Sequence, residues 1–440
     1  MKRVIKIISL TIIFALCIVL FKEFYYKDFS VTIKSENIKS SLRFRGLKDA
    51  VDFVLDEKGN YYIAYSNRIQ FINPEGKSYN IFNDKNINIT SLEYKNEKLY
   101  FASKCSVFSY DLHKKEFKEI IKDLPNFGDY NKSLLKINGD YLYVTIGSAT
   151  NSGIVGPDNQ WTKDNPFSHD ISPYKTTLKG INFDEGKTGA FVGYGTKNIE
   201  GQIIPGHYPG NASIIMHNIE SGASATFAWG IRNVKGLDFD SRGRMIATIG
   251  GMENRGLRPV KGDTDYIYVI KAKTWYGWPD YSGGDPINSP KFKDNNNKTI
   301  SFILDNHPTT NPSAPLYIHK ALDSIQSLAV DQKGDFEELD TIYFYDDKDK
   351  MIYSLNNKGI LSEKIKFNNN SKITSIKYSK NQILILDSET GNMYTLESSK
   401  MLSNDFMNKP IIYFTIITII IVIITLLKTI IDINNKRKEK

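Results

Sequence analysis

Residues that could do chemistry are few in this chain, and they concentrate in one stretch, Trp229 to Pro279. Arg232 and Asn233 come just before a predicted strand there, so their side chains can project from its end. A guanidinium offers a fixed fork of donors, which suits carboxylates and planar oxygens. Elsewhere the six histidines stand alone, and the chain has no P-loop, GxSxG elbow, HExxH pair or CxxC pair. The low content of His and Cys argues against a zinc site.

The stretch that carries Arg232 divides into three predicted strands. The first runs over 234–239, and a turn at 240–243 reverses the chain into the second, at 245–249. A Gly-rich excursion over 250–262 leads to the third strand, at 265–270, and a Tyr-Gly-Trp-Pro turn follows. Strand, turn, strand, loop, strand is typical of one blade of a β-propeller.

The same pattern of apolar strands and polar turns occurs six times, about 40 residues apart where it is uninterrupted. The copies begin near Ala50, Ser91, Leu134, Val234, Ser327 and Thr374. They predict an all-β, six-bladed propeller over residues 25–400; a β-sandwich is the structural alternative, but it would not require this periodicity. Insertions rich in Gly, Pro and Asn, at 148–170, 184–210 and 281–315, are expected to gather at one face near the central channel.

The motifs of the central stretch also occur in a known order. Gly230–Asn233, Gly236–Leu237, the turn at Asp240, Asp265 and Tyr276–Pro279 resemble the soluble quinoprotein glucose/sorbosone dehydrogenase family. The similarity is strongest in this stretch and extends more loosely over most of the region between the two apolar ends of the chain. It implies a propeller that oxidises an aldose or polyol with pyrroloquinoline quinone (PQQ), held by Ca²⁺.

The resemblance also implies roles for particular residues. Arg232 and Asn233 would orient the quinone, and Lys348 and Lys372 stand near positions at which the family contacts it. Residues 251 and 252, Gly and Met, would offer backbone carbonyls to Ca²⁺, and oxygen is the kind of ligand that this cation prefers. The late arginine pair of the family has no counterpart here, nor does its early glutamine.

The proton acceptor is the main departure from the family. Hydride abstraction from a sugar needs a nearby group to take the hydroxyl proton, and that group is usually His. The family has this His shortly before the strand that begins here near Leu134, where this chain has Asp129 and no His. Asp129 is therefore the predicted base, and His169 and His207 in the long loops are the alternatives.

Apolar segments flank the repeats. The run from Ile7 to about Phe21 follows a basic start and lacks a small-x-small cleavage motif, which favours an uncleaved signal anchor (1–24) over a cleaved signal peptide. Residues 411–427 are apolar and uncharged, which predicts a second transmembrane helix over 409–429. Basic residues at both ends, including the tail 430–440, predict cytoplasmic termini and an extracytoplasmic propeller at the cell membrane.

Composition leaves two functional hypotheses. The net charge of +8 comes from Lys and Arg that are interspersed with Asp and Glu, which argues against nucleic-acid binding. The two cysteines, Cys17 and Cys105, are not expected to pair. The chain is then either a PQQ- and Ca²⁺-dependent sugar dehydrogenase, or a non-catalytic propeller that binds a carbohydrate, peptide or cell-envelope partner through its loop-rich face.

Overall fold

The computed structural model describes residues 31–399 and, beyond them, only Lys428 and Ile431, which are helical. The signal anchor predicted at 1–24 lies outside the described residues, as do nearly all of the helix predicted at 409–429 and of the tail. Within the described part of the chain, no helix has the length and apolar character needed to cross a bilayer.

Six antiparallel sheets form the blades of a propeller, and the strands of each blade follow one another from the inner strand outward. Blade 1 comprises Ala50–Leu55, Tyr61–Tyr65, Arg68–Ile72 and Ser78–Asn83; blade 2 comprises Ile89–Lys95, Lys98–Ser103, Ser106–Asp111 and Glu116–Ile121; and blade 3 comprises Leu135–Asn138, Tyr141–Ile146, Ser213–Asn218 and Ser224–Trp229. Blade 4 comprises Val234–Phe239, Met245–Ile249, Tyr266–Ile270 and Tyr317–Ile318; blade 5 comprises Ile325–Asp331, Thr341–Asp346, Met351–Leu355 and Leu361–Lys366; and blade 6 comprises Ile373–Ser379, Gln382–Asp387, Asn392–Ser398 and Ile38–Phe44.

The ring closes through the first part of the described chain. Each inner strand contacts the inner strand of the next blade, and that of blade 6 contacts that of blade 1. Blade 6 takes its outermost strand, Ile38–Phe44, from the N-terminal side of the propeller, and this strand pairs antiparallel with Asn392–Ser398. A short strand, Thr32–Ile33, adds to the outer edge of blade 5. The six-bladed fold predicted from the repeats is therefore confirmed, and the β-sandwich alternative is wrong.

Apolar cores between neighbouring blades hold the ring together. Six of the buried clusters each combine side chains from two adjacent blades, including blades 6 and 1. The strand Gln382–Asp387 shows how: Ile383 and Ile385 pack toward blade 5, whereas Leu384 and Leu386 pack toward blade 1. Successive residues of a strand point to opposite faces of the sheet. A blade packed between two neighbouring blades therefore needs apolar residues on both of its faces.

The long insertions form a cap with an apolar core of its own. They occupy 147–212 in blade 3, and 250–265 and 271–316 in blade 4. Their core includes Ile154, Phe191, Met252, Trp278 and Phe292. Regular structure within the cap is limited to the 3₁₀ helix Gln160–Lys163 and the short strands Thr176–Thr177, Ile203–Ile204, Thr274–Trp275, Tyr281–Ser282 and Asp285–Pro286. The insertions expected to gather at one face thus pack against one another.

Candidate functional site

The propeller topology brings the predicted site residues to the capped end of the ring. In every blade, the start of the inner strand and the turn between the second and third strands lie at this same end, because the strands are antiparallel. All of the predicted site residues occupy one or other of these positions: Asp129, Arg232, Asn233, Gly251, Met252, Lys348 and Lys372.

Arg232 is buried, and each nitrogen of its guanidinium donates to an acceptor in its own chain. Nε donates to the carbonyl oxygen of Asn151 at 3.1 Å, and Nη1 donates to that of Gly250 at 3.4 Å. Nη2 donates to Oδ1 of Asn151 at 2.9 Å, to Oε1 of Glu253 at 2.7 Å and to the Tyr130 hydroxyl. The Tyr130 ring also lies beneath the guanidinium, with its centroid 4.1 Å from Cζ. Burial lowers the pKa of Arg232 to about 10, with Glu253 opposing this effect, so the group stays charged at neutral pH.

A second arginine extends this network to Asp158 of the cap and to Asp129. Arg255 donates from Nε to Glu253 at 2.6 Å, from Nη1 to Asp158 at 2.7 Å and from Nη2 to Asp129 at 2.7 Å. Burial opposes its charge, but the carboxylates of Glu253 and Asp129 outweigh burial and raise the pKa of Arg255. Glu253 therefore bridges the two guanidinium groups through its two oxygens.

Asp129, the predicted base, anchors part of the cap. Its Oδ2 accepts hydrogen bonds from Arg255 and from Nδ2 of Asn159 at 2.9 Å, and its Oδ1 accepts one from the Trp161 indole at 2.8 Å. These contacts fix the 3₁₀ helix Gln160–Lys163 to the ring. That Asp129 takes a proton from a substrate stays a prediction, and in this geometry the carboxylate serves as a structural acceptor.

The remaining predicted cofactor contacts stand apart from this network. Lys348 and Lys372 are exposed, and the contacts of Arg232 come from other residues. Asn233 is half-buried, and its carbonyl oxygen accepts the N–H of Gly250 at 2.9 Å. Of the two loop histidines, His207 is exposed and its Nδ1 lies 3.1 Å from the carbonyl oxygen of residue 209.

The segment proposed to offer carbonyls to Ca²⁺ is tightly packed. The N–H of Met252 donates to Asp263 at 2.6 Å, and the Met252 side chain enters the cap core. A Cβ at Gly251 would lie 2.1 Å from the carbonyl oxygen of Thr264, so the backbone here requires glycine. Among the described residues, no group of three or more His, Cys, Asp or Glu side chains is arranged to hold a metal ion.

Charged side chains also face one another inside the channel. Lys377 of blade 6 contacts Asp52 of blade 1 at 3.2 Å and Glu93 of blade 2 at 3.1 Å, while Lys136 of blade 3 contacts Asp238 of blade 4 at 2.8 Å. The cavity among the inner strands has a volume of about 50 Å³, which is room for a few water molecules. These ion pairs connect consecutive blades (6 and 1, 3 and 4) and also two blades that are not consecutive (6 and 2).

Tyr130, Asn151, Glu253 and Arg255 are the site residues that sequence reasoning missed. Arg232 and Tyr130 are 102 positions apart in the chain, and Arg255 and Asp129 are 126 apart, so no local spacing connects them. The one available signal was position: Tyr130 adjoins the predicted base, and Glu253 lies in the Gly-rich excursion.

Solved structures share most of this ring. A family AA12 carbohydrate-active enzyme from Trichoderma reesei, in a calcium structure, superposes with a TM-score of 0.58 at 13% identity, over 84% of this chain and 97% of that one. The holo PQQ domain of pyranose dehydrogenase from Coprinopsis cinerea gives 0.55 at 11% identity, over 84% and 97%. PQQ-bound aldose sugar dehydrogenase from Streptomyces coelicolor gives 0.51 at 12% identity, over 84% and 99%. The protein shares their fold.

The resemblance expected from the stretch 229–279 is thus confirmed at the level of the fold. No protein-family profile matches the chain, and no characterised protein matches it in sequence. At identities of 11–13%, the superpositions say nothing further about chemistry.

The residues around Arg232 do not fit a quinone that carries several carboxylates. Such a ligand needs free cationic donors, and those of Arg232 are engaged by Glu253, Asn151 and Gly250. The Tyr130 ring covers the guanidinium face on which a planar ligand could stack. The cavity that Arg232 lines has a volume of about 20 Å³, which is enough for roughly one water molecule.

Proposed function

We propose that this protein is a non-catalytic propeller that binds an extracytoplasmic ligand through its capped face. The observation that carries the proposal is the guanidinium of Arg232, whose nitrogens all donate within the chain. A catalytic or cofactor-binding arginine would keep at least one donor directed at its ligand. Here Arg232, Glu253 and Arg255 pair with one another, so their charged groups serve a structural role.

The contacts of the predicted base support the same conclusion. Asp129 accepts hydrogen bonds from three side chains, and all three, Asn159, Trp161 and Arg255, belong to the cap. Taking up a proton would break the ion pair with Arg255 and release this part of the cap. That cost makes Asp129 a poor general base.

A second candidate function is that of a PQQ- and Ca²⁺-dependent aldose or polyol dehydrogenase. It is favoured by the fold shared with the PQQ-bound Streptomyces coelicolor and Coprinopsis cinerea proteins. In that case Arg232 and Asn233 would orient the quinone, and the carbonyls of Gly251 and Met252 would face Ca²⁺. The chain's own contacts at Arg232 would first have to open.

Reconstitution separates the two candidates. Full-length protein, purified in a mild detergent because of its apolar ends, is mixed with PQQ and millimolar Ca²⁺. We expect neither a bound-quinone absorption spectrum nor dye reduction with aldoses or polyols. A stoichiometric quinone spectrum with sugar-dependent dye reduction would reject the binding function in favour of the dehydrogenase.

The proposed location is the outer face of the cell membrane, with both termini in the cytoplasm. The basic residues at each end of the sequence support it. Cys105 is exposed in the turn between the second and third strands of blade 2, and the only other cysteine, Cys17, lies in an apolar run. A membrane-impermeant maleimide should therefore label Cys105 in intact cells. Labelling of Cys105 only after cell lysis would reject this orientation.

A further inference from the structure

An open groove lies on the cap, built by two parts of its first insertion. One wall is formed by Thr162, Pro166, Phe167 and His169, and the other is formed by Val192, Gly193, Tyr194 and Thr196. Its volume is about 610 Å³, which is in the range of pockets that hold small organic ligands. Neither wall contributes a residue to the network of Arg232.

Two exposed aromatic rings flank this groove. Phe167 is 89% exposed, although a large apolar side chain is usually buried, and Tyr194 is 45% exposed. The Tyr194 hydroxyl contacts Asp184 at 3.0 Å, which holds the ring in place. Aromatic rings at the rim of a cleft offer flat apolar faces on which a ligand can stack.

Polar groups that suit hydroxyls lie between these rings. Nδ1 of His169 is 2.9 Å from the carbonyl oxygen of Asp170, which can only accept, so Nδ1 carries the hydrogen. In the neutral ring this leaves Nε2 as an acceptor. The hydroxyl of Thr162 donates to the carbonyl oxygen of Asn159 at 2.7 Å, so its oxygen can still accept from a ligand.

The groove carries no lysine, arginine or carboxylate among its lining residues. A charged peptide, a nucleic acid or a phosphorylated ligand would need such groups for recognition. Flat apolar faces beside uncharged hydroxyl-binding groups instead suit a pyranose ring, which has an apolar C–H face and a rim of hydroxyls. The open groove, with a volume of about 610 Å³, has room for more than one sugar unit.

We propose that this groove binds a neutral oligosaccharide, with Phe167 as the stacking platform and His169 as an acceptor for a sugar hydroxyl. The inference rests on the proposed binding function, because it names the ligand class and the site within the capped face. The first wall is also fixed to the ring by Asp129, through Trp161. The residue predicted as a base thus acts as a positioning residue for this groove.

Isothermal titration calorimetry with defined glycans tests the proposal. The probes are the β-1,4-linked tetramers of glucose and of N-acetylglucosamine, and the full-length protein is held in a detergent without a sugar head group, which would compete. We expect at least one tetramer to bind. Phe167→Ala should weaken that binding by about tenfold, because an aromatic stacking contact contributes roughly one such factor, and His169→Leu should weaken it by several-fold.

Tyr141→Ala is the matched control. Tyr141 is 39% exposed and begins the second strand of blade 3, at the end of the ring opposite the cap, so its loss should leave glycan affinity unchanged. Unaltered melting temperatures would show that the variants fold.

The outcomes separate this inference from the function on which it rests. If neither tetramer binds, or if a tetramer binds Phe167→Ala as tightly as wild type, the groove proposal is overturned; in the second case the binding function still stands. If the protein instead takes up PQQ and oxidises sugars, the binding function itself fails.

Discussion

Replacing Arg258 with methionine should loosen the whole cap, because this guanidinium joins all three insertions. Nη2 pairs with Asp280 at 2.6 Å and also donates to the carbonyl oxygen of Ser301 at 2.9 Å, and Nη1 donates to those of Ser152 at 3.0 Å and Pro279 at 2.9 Å. The side chains of Arg258 and Asp280 are only 1% and 0% exposed. Burial lowers the pKa of Arg258, and the nearby Asp280 carboxylate opposes this effect.

The size of the effect follows from the charge that is left behind. Methionine fills most of the volume, but it removes the guanidinium from the buried Asp280 carboxylate and leaves only His307 and backbone N–H groups as its partners, which costs about 3–5 kcal/mol. Unfolding entropy is about 2.1 cal/mol/K per residue, or about 0.8 kcal/mol/K for roughly 370 residues. The melting temperature should therefore fall by about 4–6 °C.

Tryptophan fluorescence is a suitable assay, because all four tryptophans lie in the cap or at its border with blade 3, at positions 161, 229, 275 and 278. The matched control is Lys187→Met, which breaks an ion pair in the same cap whose partners are 59% and 84% exposed. An exposed pair contributes about 0.5 kcal/mol, so that variant should melt within about 1 °C of wild type. If the melting temperature of Arg258→Met falls by less than about 1 °C, the conclusion that this buried pair holds the insertions together is refuted.

Three further perturbations test other parts of the structure. Burial raises the pKa of Asp170 to about 7, above its usual value, so the folded state holds an extra proton between about pH 4 and 7. The free energy of unfolding should therefore decline as pH rises through that range. Urea midpoints should show this decline in wild type and not in Asp170→Asn. Lys377→Met leaves the channel carboxylate of Glu93 without its cation and should lower the free energy of unfolding in urea by about 3 kcal/mol. The control, Lys48→Met, removes an exposed ion pair and should lower it by under about 0.5 kcal/mol. Equal losses in the two variants would contradict the role given to the channel pairs. Asp129→Asn should speed tryptic cleavage within 147–170 before it changes cleavage elsewhere, and an unchanged digestion pattern would contradict its role as an anchor.

The blades were predictable from the sequence because each depends on local information. A strand such as Gln382–Asp387 shows a compact apolar run between polar turns, and the run repeats at blade spacing. Alternating side chains of that run enter two different cores, which explains why its residues are apolar on both faces. The order of such runs is enough to count six blades and to place their turns at the two ends of a ring.

The cap and the surroundings of Arg232 were not predictable in the same way. Trp278 and Phe292 belong to one core, but neither lies in a periodic segment. The position of Arg232 at the capped end of the ring could be inferred from the strand that follows it. Its partners could not, since Tyr130 comes from the connection between blades 2 and 3 and Asn151 comes from an insertion in blade 3. An arginine at this position can bind a ligand or pair with residues of its own chain, and only its three-dimensional contacts show which it does.

The outermost strand of blade 6 determines how the ring responds to force. Ile38 pairs with Ser398, and the N–H of Ser399 donates to the carbonyl oxygen of Asn37 at 2.9 Å, so the ring closes where the last strand of the propeller ends. Tension on the N-terminal side would first load the two-residue pairing of Thr32–Ile33 with blade 5, and only then the longer strand pair that closes the ring.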